Sequence, residues 1–365
     1  MSRSPAASLP DFPWDRLVPA AEQARAHPGG IVDLSVGTPV DPTPDIVQRA
    51  LHAASNSPGY AFTAGTAALR ESICRALSRR CGADLTPDSV LPSIGTKEIV
   101  ALLPTLLGLG VSDAVAVPRV AYPTYAVGAL LAGCAVVEAD SVDELEAARP
   151  ALVWLNSPSN PTGRVAPAAE MAAIVAWARS RGALVVSDEC YFDLAWSSEP
   201  VSVLHPSVCG TSHDSVVALQ SLSKRSNLAG YRFGFAAGDA SVLARVLEVR
   251  KHAGLIVPGP VQQAAIAALD DDLHVAAQRL VYGARRDQLL PALRSAGFRV
   301  DHSEAGLYLW CTRDEPCWKT VDWLAQRGIL VAPGDFYGSA GDHHVRVALT
   351  ATDERISTAV TRLTP

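Results

Sequence analysis

The 365-residue chain has only four lysines, Lys97, Lys224, Lys251 and Lys319, so chemistry that needs a primary amine has few places to occur. Lys224 lies in SLSKRSNLAGYRFG, residues 221–234, where Ser221, Ser223 and Arg232 flank it. Two hydroxyls and a guanidinium suit a phosphate dianion, the guanidinium as a bidentate donor. A lysine beside such a site can form an imine with a carbonyl compound. A solvated polar turn would use the same residue types, so the segment needs companions.

Candidates stand elsewhere in the chain. Thr96 and Lys97 follow Gly95 and open a helical pattern, whose first N–H groups and dipole would give a second half of an anion cradle. Asp188 ends the apolar run ALVVSD, where a carboxylate could hold a ring nitrogen protonated by ion pairing. Asn160, in LNSPSNPTG, follows another apolar run, although Asn-Pro-Thr-Gly is also good turn chemistry. Tyr122 and Tyr125, in AYPTY, could stack on a planar ring or simply pack.

The elements that must position these residues are legible as alternating patterns. Residues 1–15 read as an extended, Pro-rich arm. Helical spacing covers 45–54, 66–80, 96–108, 124–132, 167–181 and 240–253. Short apolar runs at 113–117, 134–138, 151–155, 183–188, 215–219 and 231–237 read as strands. This alternation predicts a mostly parallel sheet covered on both faces. Ligands of such sheets bind at the carboxyl ends of the strands, where the residues singled out stand. Past residue 240 the texture changes. One long helix is predicted over 261–296, then shorter elements at 298–301, 307–312, 316–327, 329–331, 345–349 and 353–363. That is the pattern of a second, smaller α+β domain.

Composition narrows the function classes. Hydrophobic residues make up 48% and charged residues 19%, enough apolar material for a large core. The net charge of −6 and the lack of a basic run give no electrostatic footprint for nucleic acid. The longest apolar stretch, Ile99 to Val111, is too short to span a bilayer. The start lacks the apolar region of a signal peptide, so a cytoplasmic protein is expected. Seven cysteines without a Cys-x-x-Cys pair read as reduced thiols. His343-His344 has the wrong spacing for a metal pair, so no metal is expected. Gly108-Leu109-Gly110 lacks the third glycine of a dinucleotide loop. Ser221-Leu222-Ser223-Lys224 also fits the Ser-x-x-Lys nucleophile motif of penicillin-binding enzymes, but no Lys-Thr-Gly accompanies it.

Taken together, these motifs resemble, in order and over nearly the whole chain, the fold-type I, class I/II aminotransferases that use pyridoxal 5′-phosphate. The resemblance implies a seven-stranded, mostly parallel sheet and a smaller α+β domain. It implies that Lys224 is the Schiff-base lysine that also moves the α-proton, with Asp188 the partner of the pyridine nitrogen. Ser221, Ser223 and Arg232 match phosphate ligands, and Gly95, Thr96 and Lys97 the helix-start phosphate segment. Tyr122 matches the aromatic stacked on the ring; Asn160 and Tyr191 match the pair at the ring hydroxyl oxygen. Arg346, in HVRVALT, matches the clamp for the substrate α-carboxylate, and Gly37, in LSVGTP, the glycine near that carboxylate. Tyr60, in GYAFTAGTAALRESI, matches the tyrosine that reaches the phosphate of the neighbouring subunit, which implies a homodimer with shared sites.

The implied division is an arm at 1–12, a large domain at 45–275, and a small domain at 13–44 and 276–365. Within the superfamily, LNSPSNPTGR, SDECYFDLAW, SLSKRSNLAGYRFGF, RKHAGLIVPGP and HSEAGLYLW look most like the bacterial succinyldiaminopimelate aminotransferases. That resemblance implies transfer from glutamate to N-succinyl-2-amino-6-ketopimelate, giving N-succinyl-LL-2,6-diaminopimelate and 2-oxoglutarate in lysine synthesis. Lys97, Arg119 and Lys251 are the cations considered for a distal substrate carboxylate. Aspartate, aromatic or branched substrates, or a β-lyase reaction, remain compatible with the same core residues.

Overall fold

The structure, a computed structural model, describes residues 9–364. The expected arm therefore lies partly outside the described residues, and its end is not extended: Pro13–Leu17 forms a 3-10 turn that runs into a helix at Val18–Arg25. Proline at the first helical positions needs no N–H partner there, so a Pro-rich stretch can start a helix as readily as it can stay extended.

The core is a seven-stranded sheet. Its strands are β1 (Val90–Ile94), β2 (Ala114–Val117), β3 (Ala135–Glu138), β4 (Leu152–Asn156), β5 (Leu184–Asp188), β6 (Val216–Ser221) and β7 (Phe233–Gly238). They lie in the order β1-β7-β6-β5-β4-β2-β3. All neighbours are parallel except those of β7, which runs against β1 and β6. Side chains alternate between two apolar layers. Leu152, Trp154, Leu184, Val186, Val217 and Leu219 enter one, while Val153, Val185, Val216 and Ala218 enter the other. Both faces are covered, which explains why the strands read as continuous apolar runs. Strand β1 has no counterpart among the expected strands. Pro92 interrupts its pattern, and it is tolerated because β1 is an edge strand.

A second, four-stranded antiparallel sheet holds β8 (Arg299–Asp301), β9 (Tyr308–Thr312), β10 (Ala332–Pro333) and β11 (His344–Ala348), in the order β10-β11-β9-β8. Val32–Asp33 pairs in parallel with Ile329–Leu330, which ties the early chain to this late unit.

The long helix expected over 261–296 is two helices, Gly259–Leu269 and Leu273–Ser295. Asp270, Asp271 and Asp272 break it. Asp271 accepts from the Leu273 and His274 N–H groups, at 3.1 and 3.3 Å, which starts a new helix. Asp270 turns its carboxylate to Ser72 and Arg75 instead. Helical periodicity of the apolar positions continues across the break, so the pattern alone does not reveal it.

Candidate active site

The carboxyl ends of β4, β5 and β6 open into a cavity of ≈ 620 Å³. Its lining includes Gly37, Thr96, Lys97, Tyr122, Asn160, Asp188, Tyr191, Ser221, Ser223, Lys224, Arg232 and Arg346. Twelve of the fourteen residues to which the resemblance gives a site role thus meet in one cavity. The exceptions are Gly95, which packs directly behind it, and Tyr60.

Lys224 sits in the helical turn Leu222–Arg225 that follows β6. Ser221 caps the turn, its Oγ accepting from the Ser223 N–H at 3.1 Å and donating to Ser223 Oγ at 2.9 Å. The lysine Nζ donates to the Gly37 carbonyl. Burial pushes its pKa below the usual lysine range, and the nearby Arg346 and Arg232 charges push the same way. A larger fraction of neutral amine results, as a general base or nucleophile requires.

The phosphate-type cradle is built by close contact. Gly95 has φ +69°, and a Cβ there would lie 2.4 Å from an Arg232 guanidinium nitrogen. Only glycine lets Arg232 lie against the start of the helix Thr96–Leu106. Glu98 anchors that start, accepting from the Ile94 N–H at 3.1 Å and from the buried Arg250 at 2.6 Å. At Gly234, opposite Ser221 in β7, a Cβ would press on the Thr96 N–H at 2.9 Å. The cradle therefore combines a helix N-terminus, two hydroxyls and a guanidinium. Such a donor set fits a phosphate group.

Asp188 is buried and forms no salt bridge among the described residues. Burial raises its pKa, and hydrogen bonds from Cys190 and from Tyr125 Oη (2.9 Å) oppose the rise. A buried carboxylate without a cation is costly, and a cationic ring N–H would relieve that cost. Asn156, paired with Asp188 in the sheet, donates to the Asp188 carbonyl at 2.8 Å. Its Oδ1 accepts from the Asn160 N–H at 2.7 Å, which sets the loop that carries Asn160.

Arg346 reaches the cavity from β11. Its guanidinium donates to Asn160 Oδ1 at 2.8 Å and to the Ser35 carbonyl at 2.7 Å. It packs over Tyr308 at 3.9 Å and Tyr337 at 4.9 Å. Its Nε has no partner, and no carboxylate pairs with it among the described residues. A buried cation held by neutral acceptors and aromatic faces is a ready site for a substrate carboxylate.

Tyr308 and Asn156 are site residues that the sequence motifs do not single out, and the sequence leaves Tyr125 open between stacking and packing. Tyr308 lies on β9, which is buried along its whole length, so no alternation marks the one side chain that faces the cavity. Asn156 carried a usable signal, a polar residue closing an apolar strand. Of the three cations considered for a distal carboxylate, Arg119 is engaged by Asp140 (3.0 Å) and Glu144 (2.5 Å). Lys251 pairs with Glu248 at 2.6 Å on a surface helix. Lys97 lines the cavity and has no salt bridge among the described residues. Tyr60 is fully exposed, at 101%, and does not line the cavity of its own chain. All seven cysteines are free thiols, and no described helix is long and apolar enough to cross a membrane.

Residues 30–363 match the aminotransferase class I and II family. The chain belongs to that family, and so to the pyridoxal 5′-phosphate-dependent enzymes of fold type I. It is 64% identical over 359 residues to a "probable aminotransferase" of Mycobacterium tuberculosis, covering 98% of this chain and 86% of that protein. It is 56% identical over 356 residues to the 4-dedimethylamino-4-oxo-anhydrotetracycline transaminase of Streptomyces rimosus, covering 98% and 99%. It is 32% identical over 379 residues to the LL-diaminopimelate aminotransferase of Gloeobacter violaceus, covering 97% and 95%. The protein is an aminotransferase; these likenesses do not single out the succinyldiaminopimelate enzymes.

Proposed function

We propose that the enzyme transfers the amino group of glutamate to N-succinyl-2-amino-6-ketopimelate, giving N-succinyl-LL-2,6-diaminopimelate and 2-oxoglutarate. The observation that carries the reading is the buried Arg346, without a carboxylate partner, in the same cavity as Lys224. Both substrates have a carboxylate beside the reacting carbon, and one clamp serves both. Lys97 would take a carboxylate at the far end of the longer substrate. The segment resemblance to succinyldiaminopimelate enzymes, and the relative named for LL-diaminopimelate, support this acceptor class.

Bound in the cavity, the cofactor supplies an electron sink for the carbanion that forms when the substrate Cα loses its proton. The chain's residues do the rest. Arg232, Ser221, Ser223 and the N–H groups at Thr96 and Lys97 would hold the phosphate. Asp188 would keep the ring nitrogen protonated, Tyr122 would pack on the ring, and Asn160 and Tyr191 would hold its hydroxyl oxygen. Arg346, beside a Gly37 whose missing side chain makes room for the Tyr308 hydroxyl, orients the carboxylate so that the Cα–H bond faces Lys224. Lys224 Nζ would take that proton from the donor Cα as general base and, in the half-reaction that follows, deliver a proton as general acid to the carbon of the acceptor that becomes its Cα. We place residues 45–275 in a large domain and 13–44 with 276–365 in a small one. Tyr60 then serves the phosphate of a second subunit in a cytoplasmic homodimer.

A second reading rests on the Streptomyces relative. Phe12, Trp14, Val36, Val100 and Val127 add apolar side chains to the cavity lining, which suits a polycyclic ketone. Visible spectroscopy separates the two. The holoenzyme should show a yellow band that both glutamate and N-succinyl-LL-2,6-diaminopimelate bleach, and Lys97→Ala should raise KM for the succinylated substrate about tenfold, the size expected for one charge-assisted contact. A band that answers to glutamate alone favours the ketone acceptor. No band after adding the cofactor overturns the whole reading.

A further inference from the structure

Tyr308 is not among the residues that the family resemblance assigned, yet it touches three that are. Its ring lies 3.9 Å under the Arg346 guanidinium carbon. Its hydroxyl is 3.0 Å from the hydroxyl of Tyr191, and the two rings meet edge to face at 5.6 Å. Gly37, whose carbonyl accepts from Lys224, is so close that a Cβ on it would lie 2.1 Å from Tyr308 Oη. We propose that Tyr308 is a positioning residue that joins the carboxylate clamp to the ring-hydroxyl end of the cofactor site, its ring seating Arg346 and its hydroxyl directing the proton of Tyr191.

The two functions separate on one side chain. The ring offers Arg346 a π-face in a buried setting, where a cation gains more from it than at the surface. The Asn160 and Ser35 bonds fix two guanidinium nitrogens, and the ring fixes the plane from below. The hydroxyl acts through proton count. Two phenols facing each other hold two protons; one closes the mutual bond and the other is left for a third acceptor. When Tyr308 donates, the Tyr191 proton is the one left for the cavity. Burial opposes ionisation of Tyr308, but Arg346 and Lys224 pull its pKa below the usual phenol range, while Tyr191 is held well above it. The two hydroxyls are therefore electrostatically unequal, and the cations beside Tyr308 strengthen it as the donor.

The proposal rests on the cofactor and Tyr191 assignments made under the proposed function. The wild-type holoenzyme is therefore measured first, and a missing visible band there sinks that reading rather than this one. Tyr308→Phe keeps the ring and removes the hydroxyl; Tyr308→Leu removes both. With Tyr191 no longer directed, Tyr308→Phe should move the pH midpoint of the visible band up by about half a unit or more, the scale of one weakened hydrogen bond to a charged oxygen. Binding of glutarate, followed by its effect on the same band, should be about tenfold weaker in Tyr308→Leu than in Tyr308→Phe, from loss of the π-face. A residue that merely fills space would change thermal stability in both variants without this split. An unmoved midpoint in Tyr308→Phe, or equal glutarate affinities in the two variants, overturns the proposal.

Discussion

Arg346 donates to Asn160 Oδ1 over 2.8 Å although Arg346 stands on β11 of the four-stranded sheet, Asn160 on the loop that follows β4 of the seven-stranded one, and the two lie 186 positions apart. The bond works because each end is fixed independently. Asn160 is set by its N–H on Asn156, at the end of β4, and Arg346 is set by the Ser35 carbonyl and by Tyr308 and Tyr337. A buried guanidinium would be costly without partners, and these neutral ones satisfy it only in part. The remaining capacity belongs to an incoming carboxylate.

Arg346→Ala should therefore reduce kcat/KM for both the amino donor and the acceptor by about a hundredfold, since charge-assisted bonds contribute roughly 1.5–3 kcal/mol each. The visible cofactor band should survive, because Arg346 itself is assigned no cofactor contact and its partner Asn160 is also held by its N–H on Asn156 Oδ1. Steady-state kinetics on both substrates decides. A loss confined to one of them would show that the other carboxylate is held elsewhere.

Gly95 tests the cradle without removing a functional group. A methyl group at this position meets the Arg232 guanidinium at 2.4 Å, and the backbone φ of +69° disfavours any side chain. Gly95→Ala should weaken cofactor binding by about tenfold or more and cost about 1–2 kcal/mol of apo stability. Equilibrium dialysis and thermal melts of the apo protein measure the two effects separately. Unchanged cofactor affinity would mean that Arg232 does not need its seat against the helix start.

Much of this arrangement was legible in the sequence because it follows from strand ends. Asp188, Asn160 and Ser221–Lys224 each follow an apolar run, and a covered parallel sheet gathers such positions on one edge. What stayed hidden involves backbone geometry or burial on all sides. Strand β1 carries a proline that only an edge position tolerates. The break at Asp270–Asp272 depends on side-chain capping that periodicity does not report. Tyr308 sits in a strand without alternation, and the fit of Gly37 against it joins residues 271 positions apart.

Glu189 gives the apo protein a pH dependence of its own. It is buried next to Asp188 and accepts from Ser202 Oγ, the Val203 N–H (2.8 Å) and Gln220 (3.1 Å), yet burial still lifts its pKa to about 7. A carboxyl group with a raised native pKa binds its proton more tightly in the folded state. Its stabilising contribution is complete below the ordinary carboxylate range and is lost as pH rises to about 7. The loss should be on the order of 1–3 kcal/mol between pH 5 and pH 8. Glu189→Gln should flatten that part of the profile in apo thermal melts at a series of pH values. An equally steep profile in the variant would assign the titration to another group.

Tyr60 supplies the test of a shared site. Its ring is fully exposed and lies outside its own chain's cavity, so a contact with phosphate must come from a second copy. Lys224→Ala and Tyr60→Ala proteins should each be impaired as homodimers, the second most clearly at limiting cofactor. In a hybrid dimer, the site that keeps Lys224 takes its tyrosine from the Lys224→Ala partner, and is complete. The opposite site lacks both groups. Unfolding and refolding a one-to-one mixture should therefore restore activity to roughly a quarter of wild type, because half the dimers are hybrids and each hybrid has one complete site. If Tyr60 served its own chain, no site in the mixture would hold both residues, and the activity would stay at the mean of the two parents.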